Sequence, residues 1–207
     1  MDLMGIRRRI LLAADPDLPP GYKRVDYIRA KSNAYINTTY VPVRNDEIET
    51  EFAIKANYTG LRSLFSAGTG TYQLVLLTQN GSNPTYLRYF SNEAPADKFD
   101  LQNDTWYNLT LSSGGKLTLN GKSVTYTYLS EIDGANNNLY IFRRRNNAST
   151  FLGNLRRFRI TNNGTLKLNL IPCIRASDGK AGAYDTVARK FYGSADTEEF
   201  TPSTLDA

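Results

Sequence analysis

From Tyr22 onward, apolar and polar positions alternate in short runs, most plainly in Trp106–Leu129, WYNLTLSSGGKLTLNGKSVTYTYL. Leu109, Leu111, Leu117 and Leu119 fall on one parity of their runs, and Asn108, Thr110, Thr118 and Asn120 on the other. Successive side chains of a strand point to opposite faces, so this spacing predicts half-buried antiparallel sheet. Asn120-Gly121 predicts a type I′ hairpin turn, whose central residues both take positive φ. Gly114-Gly115 closes the hairpin before it.

Comparable runs predict strands over 22–29, 34–41, 47–56, 62–68, 72–78, 85–90, 105–112, 115–120, 123–129, 138–144, 151–161, 165–174, 181–187 and 190–193. Turn clusters such as Ser32-Asn33, Gly68-Thr69-Gly70, Asn162-Asn163-Gly164 and Ser177-Asp178-Gly179 separate them. No internal repeat of about 20–50 residues is present, which argues against a propeller or solenoid. So many strands beside so little helix predict an all-β, two-sheet antiparallel sandwich.

Residues 1–14, MDLMGIRRRILLAA, depart from this pattern. Leu3, Ile6 and Ile10 share one helical face, Met4 and Leu11 flank it, and Arg7, Arg8 and Arg9 lie mostly opposite. A helix of about a dozen residues is marginal alone in water, so it is expected to dock. The docking residues are Leu3, Ile6, Arg7, Arg8, Arg9, Ile10 and Leu11, against a partner or against the chain's own domain. Asp15-Pro16-Asp17-Leu18-Pro19-Pro20-Gly21 then breaks any helix and forms a stiff connector. The expected organisation is an anchor segment over 1–17 and one β domain over 18–207.

Composition narrows the chemistry. The chain has no histidine, which excludes Ser-His and Cys-His nucleophilic machinery and His-ligated zinc. The single cysteine, Cys173, excludes an intrachain disulfide, and its apolar neighbours Pro172 and Ile174 predict a buried thiol. No run approaches the roughly 20 apolar residues of a membrane-spanning helix, so no membrane insertion is expected. Asp15-Pro16-Asp17 cuts the apolar part of the leader too short for a secretory signal. The net charge of +5 admits an acidic partner without requiring nucleic acid.

Several motifs occur in a fixed order: Leu18-Pro-Pro-Gly-Tyr-Lys-Arg-Val-Asp-Tyr-Ile28, Tyr35-Ile-Asn-Thr-Thr-Tyr40, Glu47-Ile-Glu-Thr-Glu-Phe52 and Leu119-Asn-Gly-Lys122. After them come Gly153-Asn-Leu-Arg-Arg-Phe-Arg-Ile160, Ile171-Pro-Cys-Ile-Arg-Ala-Ser-Asp-Gly179 and Gly182-Ala-Tyr-Asp-Thr-Val-Ala-Arg-Lys-Phe-Tyr192. Over about residues 18–200 the chain resembles the concanavalin A-like (laminin G-like) jelly-roll domains common in bacteriophages and gut bacteria. The resemblance implies a jelly-roll sandwich and a virion or cell-surface setting. That superfamily contains lectins, glycan hydrolases and structural modules, so fold alone does not select among them. The Arg-rich leader is similar to virion-attachment segments of phage accessory proteins.

Four constellations are candidates for chemistry. Alternate carboxylates in Glu47-Ile-Glu-Thr-Glu51 share one strand face, as a retaining glycosidase pair would. The run is similar to the Glu-Ile-Asp-x-Glu motif of jelly-roll glucanases, but Glu49 stands where those enzymes carry Asp. A solvated sheet face accounts for the run equally simply, and no catalytic residue is assigned. Calcium is the one cofactor that loop oxygens here suggest, through Asp97, Asp100, Asp104, Asp133 and Asn136, although none forms a dense calcium loop and no metal ligand is assigned. Sugar binding needs aromatic faces beside hydrogen-bonding groups. Tyr86, Arg88, Tyr89, Tyr140, Arg143, Arg145 and Asn146 supply both. Arg143, Arg144, Arg145, Arg156, Arg157 and Arg159 could mark a nucleic-acid footprint, but no reader motif accompanies them.

The expected protein is a non-enzymatic bacteriophage virion accessory protein of the capsid-decoration, head-fibre or tail-fibre type. It would dock onto other virion proteins through its N-terminal segment and display the sandwich, with host-surface glycans as candidate ligands. Its place would be the virion, assembled in the bacterial host cytoplasm, with a homo-oligomeric state left open. The alternative is a stand-alone carbohydrate-binding, lectin-like protein. A glycan hydrolase using Glu47 and Glu51 is the third reading.

Overall fold

The computed structural model describes residues 16–43, 45–55, 60–67, 74–80, 85–89, 99–112, 115–125, 137–143 and 150–203. The helix expected over 1–14, with Leu3, Ile6, Arg7, Arg8, Arg9, Ile10 and Leu11, lies outside them. The strands in chain order are β1 (Tyr22–Arg24), β2 (Ile28–Ala30), β3 (Ile36–Asn37), β4 (Asp46–Ile54), β5 (Gly60–Ala67) and β6 (Leu74–Asn80). Next come β7 (Thr85–Tyr89), β8 (Phe99–Leu101), β9 (Trp106–Leu111), β10 (Lys116–Leu119), β11 (Lys122–Thr125) and β12 (Tyr140–Ile141). The last are β13 (Gly153–Asn162), β14 (Thr165–Arg175), β15 (Ala181–Asp185), β16 (Lys190–Tyr192) and β17 (Thr201–Pro202). Among the described residues no helix is long and apolar enough to cross a membrane.

These strands form two antiparallel sheets packed as a jelly-roll sandwich. The larger runs β11-β10-β9-β4-β13-β14-β15-β16, with β1 beside β14 and β2 joining β13 to β17. The smaller runs β3-β12-β5-β6-β7-β8. The alternation in the sequence sets the inner face. On β9, Tyr107, Leu109 and Leu111 are buried while Asn108 and Thr110 are exposed, and β4 buries Ile48, Thr50 and Phe52 while Glu47, Glu49 and Glu51 face outward. The aromatic residues of the two inner faces meet in the middle. Phe65 of β5 meets Phe158 of β13 edge-on at 5.5 Å, and Phe52 meets Phe151 at 5.9 Å.

The expected hairpin is present. Asn120 and Gly121 have φ of 46° and 84°, and Leu119 pairs with Lys122 across the turn. Elsewhere the pattern overestimates strand length. The run 34–41 is a paired strand only at Ile36–Asn37; beyond it the Thr38 amide and hydroxyl both donate to the Leu139 carbonyl, at 3.0 and 2.9 Å, and the Leu139 amide donates to the Tyr40 carbonyl. The run 22–29 divides into β1 and β2, since the Asp26 and Tyr27 amides bond to Ser203 Oγ at 2.9 and 3.2 Å. The strands β8 and β17 are too short for any alternation to show in the sequence.

A second, smaller apolar cluster covers part of the larger sheet's outer face. Leu18, Ile171, Cys173 and Tyr184 are buried there, with Tyr22 and Phe191 packed against them. Leu18, the first residue after Asp17, is thus already packed on the sandwich. The same burial pushes the Cys173 thiol up to about 12.

Candidate functional site

Two irregularities of the larger sheet coincide at Arg156. Leu155 and Phe158 are both buried yet three positions apart, so strict alternation fails between them and β13 bulges against β4. Buried Thr50 donates its hydroxyl to the Arg157 carbonyl at 2.9 Å and fastens the bulge. At the same place β13 changes neighbour: its start pairs with β2 and its second half with β14. The chain crosses from β14 to β13 through Val25, whose amide donates to the Pro172 carbonyl at 3.1 Å. The sheet therefore forks.

A cleft of about 280 Å³ opens at the fork. Asp17, Arg24, Glu51, Arg156, Arg157 and Asn169 line it, together with Leu170, Ile171 and Pro172. Arg156 is its central wall. One terminal nitrogen donates to Glu51 Oε1 at 2.5 Å and the other to Asp26 Oδ2 at 2.8 Å. These bonds, Asp26 first, raise the Arg156 pKa further above its already high ordinary value. The guanidinium lies over Trp106, 3.9 Å from the ring centre. Tyr27 leans on the same indole at 5.6 Å, and Arg29 sits over Tyr27 while donating to Asn154 Oδ1 at 3.0 Å. Across the cleft Arg24 pairs with Asp17 at 2.9 Å. The cleft therefore offers planar guanidinium donors and carboxylate acceptors to a polar ligand, and behind Arg156 stand two part-exposed aromatic rings, Trp106 and Tyr27.

The acidic run on β4 borders this cleft. Glu51 stands opposite Arg157 and Glu49 opposite Arg159 in the β4–β13 register. Glu49 lies 4.0 Å from Arg157 and 3.8 Å from Arg159, so the stripe faces a row of arginines. Arg143 belongs to the other sheet, beside β12, where it pairs with Asp196 at 3.1 Å and stacks over Tyr35 at 4.6 Å. Of the arginines considered as a nucleic-acid footprint, the described ones are thus divided between two sheets, Arg143 by one and Arg156, Arg157 and Arg159 on the other, while Arg144 and Arg145 lie outside the described residues.

Tyr140 lies next to Arg143, 5.2 Å from Tyr35, with Asn138 bonded to Asn37 nearby. Tyr86, Arg88 and Tyr89 are in β7, three strands away from β12 in the same sheet. Tyr86 and Arg88 occupy alternate positions, and Tyr89 pairs with Leu76 on the rung of Phe65 and Ile141. Arg145 and Asn146 lie outside the described residues. So do the calcium candidates Asp97, Asp133 and Asn136, while Asp100 is placed only by its pairing with Tyr86. Asp104 takes φ of 59° in a turn and pairs with Lys55. Among the described residues no three His, Cys, Asp or Glu side chains gather as metal ligands.

No family model matches the chain, and no curated protein matches it in sequence. Among solved structures, it is similar to a Bacteroides ovatus protein to which carbohydrate binding is provisionally assigned, at TM-score 0.54 and 18% identity. The match covers 89% of this chain and 61% of that protein, so the chain spans about three-fifths of its length. The likeness is one of fold. Lower scores relate it to the CBM40 of the Ruminococcus gnavus IT-sialidase bound to alpha2,3 sialyllactose (TM-score 0.47, 15% identity, 67% of this chain and 89% of that one). The tailspike protein 2 of the Escherichia coli O157:H7 bacteriophage CAB120 matches at TM-score 0.46 and 14% identity, over 65% of this chain and 22% of that one.

Sequence reasoning passed over Trp106, Tyr27, Asp26 and Asn169 as site residues. One signal was available. Trp106 shares the parity of Asn108 and Thr110, so a large aromatic ring stands on the polar face of β9. The bulge was also legible, since Arg156-Arg157 separates Leu155 and Phe158 by an odd step. That the bulge faces Asp26 and the β1–β2 crossing depends on contacts between residues more than a hundred positions apart.

Proposed function

We propose that this chain is a carbohydrate-binding jelly-roll module that works by display and adhesion, not hydrolysis. The observation that carries the reading is the Arg156 node: one guanidinium pinned by Glu51 and Asp26, stacked on a part-exposed tryptophan, at the wall of a cleft. Saccharides are bound by this combination of aromatic surface and fixed polar groups. The fold shared with the Bacteroides ovatus protein is consistent with it, as is the resemblance to concanavalin A-like domains. Glu49 and Glu51 serve to hold the arginines of β13 in place, so the acidic stripe acts in positioning. The test is isothermal titration against a panel of neutral and acidic oligosaccharides. Saturable binding that Trp106→Ala and Glu51→Gln each weaken at least about tenfold, with no reducing ends released, supports the reading. Binding that both variants leave intact overturns it.

Within this reading, residues 1–17 attach the module to a bacteriophage particle as a decoration or fibre component. The support is the apolar stripe Leu3, Ile6, Ile10 beside Arg7 to Arg9, followed by a proline-rich connector whose Leu18 packs on the sandwich. Deleting residues 1–14 is expected to leave a folded domain that no longer co-purifies with particles. A truncated chain that still co-purifies stoichiometrically overturns the attachment role.

A further inference from the structure

The charges around the cleft do not cancel in the same way on every side. Arg24 has Asp17 at 2.9 Å, and Arg156 has both Glu51 and Asp26 within 2.8 Å. On the β13 wall two arginines share a single carboxylate. Among the described residues, Arg157 and Arg159 both rely on Glu49, at 4.0 and 3.8 Å, distances beyond a hydrogen bond. Arg157 lines the cleft, and its side chain is 50% exposed. Its guanidinium therefore carries N–H donors that no carboxylate in the described structure engages at hydrogen-bond distance.

The acidic groups of the same cleft stand in the opposite condition. Glu51 and Asp17 are each held by an arginine at short range. An incoming anion would meet two neutralised carboxylates and one guanidinium with charge to spare. A planar guanidinium with two parallel donors matches a carboxylate in bidentate geometry. Glu51 and Asp17 retain lone pairs that accept hydrogen bonds from hydroxyl groups. The volume of about 280 Å³ lies near the lower end of small-molecule sites, roughly 300–1,000 Å³, which suits one sugar ring at the end of a chain.

We infer that the fork cleft selects saccharides that carry a carboxylate, with Arg157 receiving the carboxylate while Glu51 and Asp17 take hydroxyl groups. This rests on the carbohydrate-binding reading of the same cleft and names its ligand class. Arg157 is the specificity-determining residue, whereas Trp106 and Arg156 serve acidic and neutral sugars alike.

The experiment uses the full chain and matched pairs of probes. Oligogalacturonides, hyaluronan oligomers and alginate oligomers are each compared with the same oligomer after its carboxylates have been reduced to primary alcohols. Binding is followed by calorimetry and by the emission of Trp106, the chain's only tryptophan. At least one acidic form is expected to bind about tenfold or more tightly than its reduced partner. Arg157→Gln is expected to abolish that difference, weakening the acidic form far more than the reduced one, and Arg157→Lys to keep part of it. Reduced forms that bind as well as the acidic ones, with Trp106 responding to both, overturn the inference and leave the carbohydrate reading standing. An acid preference that survives Arg157→Gln also overturns it. If neither form binds, both the inference and the reading it rests on fail.

Discussion

The Arg156 guanidinium lies 3.9 Å from the centre of the Trp106 ring while its terminal nitrogens reach Glu51 and Asp26. This one contact joins β9, β4, β13 and the β1–β2 crossing, so the bulge that breaks the β13 ladder also fixes the side chains around the cleft. Removing Arg156 should therefore loosen the fork. Arg156→Ala is expected to cost about 1–2 kcal/mol, the sum of a part-exposed ion-pair network and a cation–π contact. Arg156→Lys should recover only part of it, because an ammonium cannot bridge two carboxylates with one plane. Urea denaturation of the three proteins measures the difference.

Gly182 on β15 has no room for a side chain. A Cβ there would strike the Tyr192 carbonyl oxygen on the neighbouring strand and the Phe191 ring. Gly182→Ala is expected to cost about 1–3 kcal/mol through overpacking against backbone. At Gly193 the nearest added contact is an ordinary 3.5 Å, so Gly193→Ala should stay within about 0.5 kcal/mol of the parent. Thermal melts of the pair test the assignment.

Asp178 accepts two hydrogen bonds from Arg175, at 3.0 and 2.6 Å, and this pairing holds its carboxyl down to about 2. The folded value is below the roughly 4 of an unfolded aspartate. Its stabilising contribution is therefore complete above about pH 4 and is lost as the pH falls through the folded value. An NMR titration of the Asp178 carboxyl should show a midpoint near 2 in the parent and a higher one in Arg175→Ala.

Cys173 is fully buried, and its thiol is pushed up to about 12 chiefly by burial. The reactive thiolate is then scarce at neutral pH, and reagents have no access. Ellman's reagent at pH 8 is expected to leave the native protein unmodified over hours and to titrate one thiol promptly in guanidinium chloride. Prompt reaction of the native protein would contradict the packing of Cys173 with Leu18, Ile171 and Tyr184.

The sandwich was legible in the sequence because each relevant signal is local. Leu109 and Leu111 needed only their alternation with Asn108 and Thr110, and Asn120-Gly121 needed only its tolerance of positive φ. The fork was not legible in the same way. Its bulge shows as the step from Leu155 to Phe158, but its consequence depends on Asp26 meeting Arg156 and Val25 meeting Pro172, pairings set by the whole topology. Sequence reasoning therefore turned to tyrosines and clustered arginines, Tyr140 and Arg143 among them, and overlooked Trp106. A ring on a solvent-facing strand position matters most when a distant arginine completes it, and only the folded chain supplies that arginine.

Trp106 is the chain's only tryptophan, so its emission reports on the fork alone. The most direct measurement is a fluorescence titration of the intact protein with the oligosaccharide panel, run beside calorimetry on the same samples. A saturable change in Trp106 emission, with the same midpoint as the heat and greatly weakened in Glu51→Gln, is the expected result. Heat of binding with no response from Trp106, or a response that Glu51→Gln leaves unchanged, would contradict a carbohydrate site at the fork.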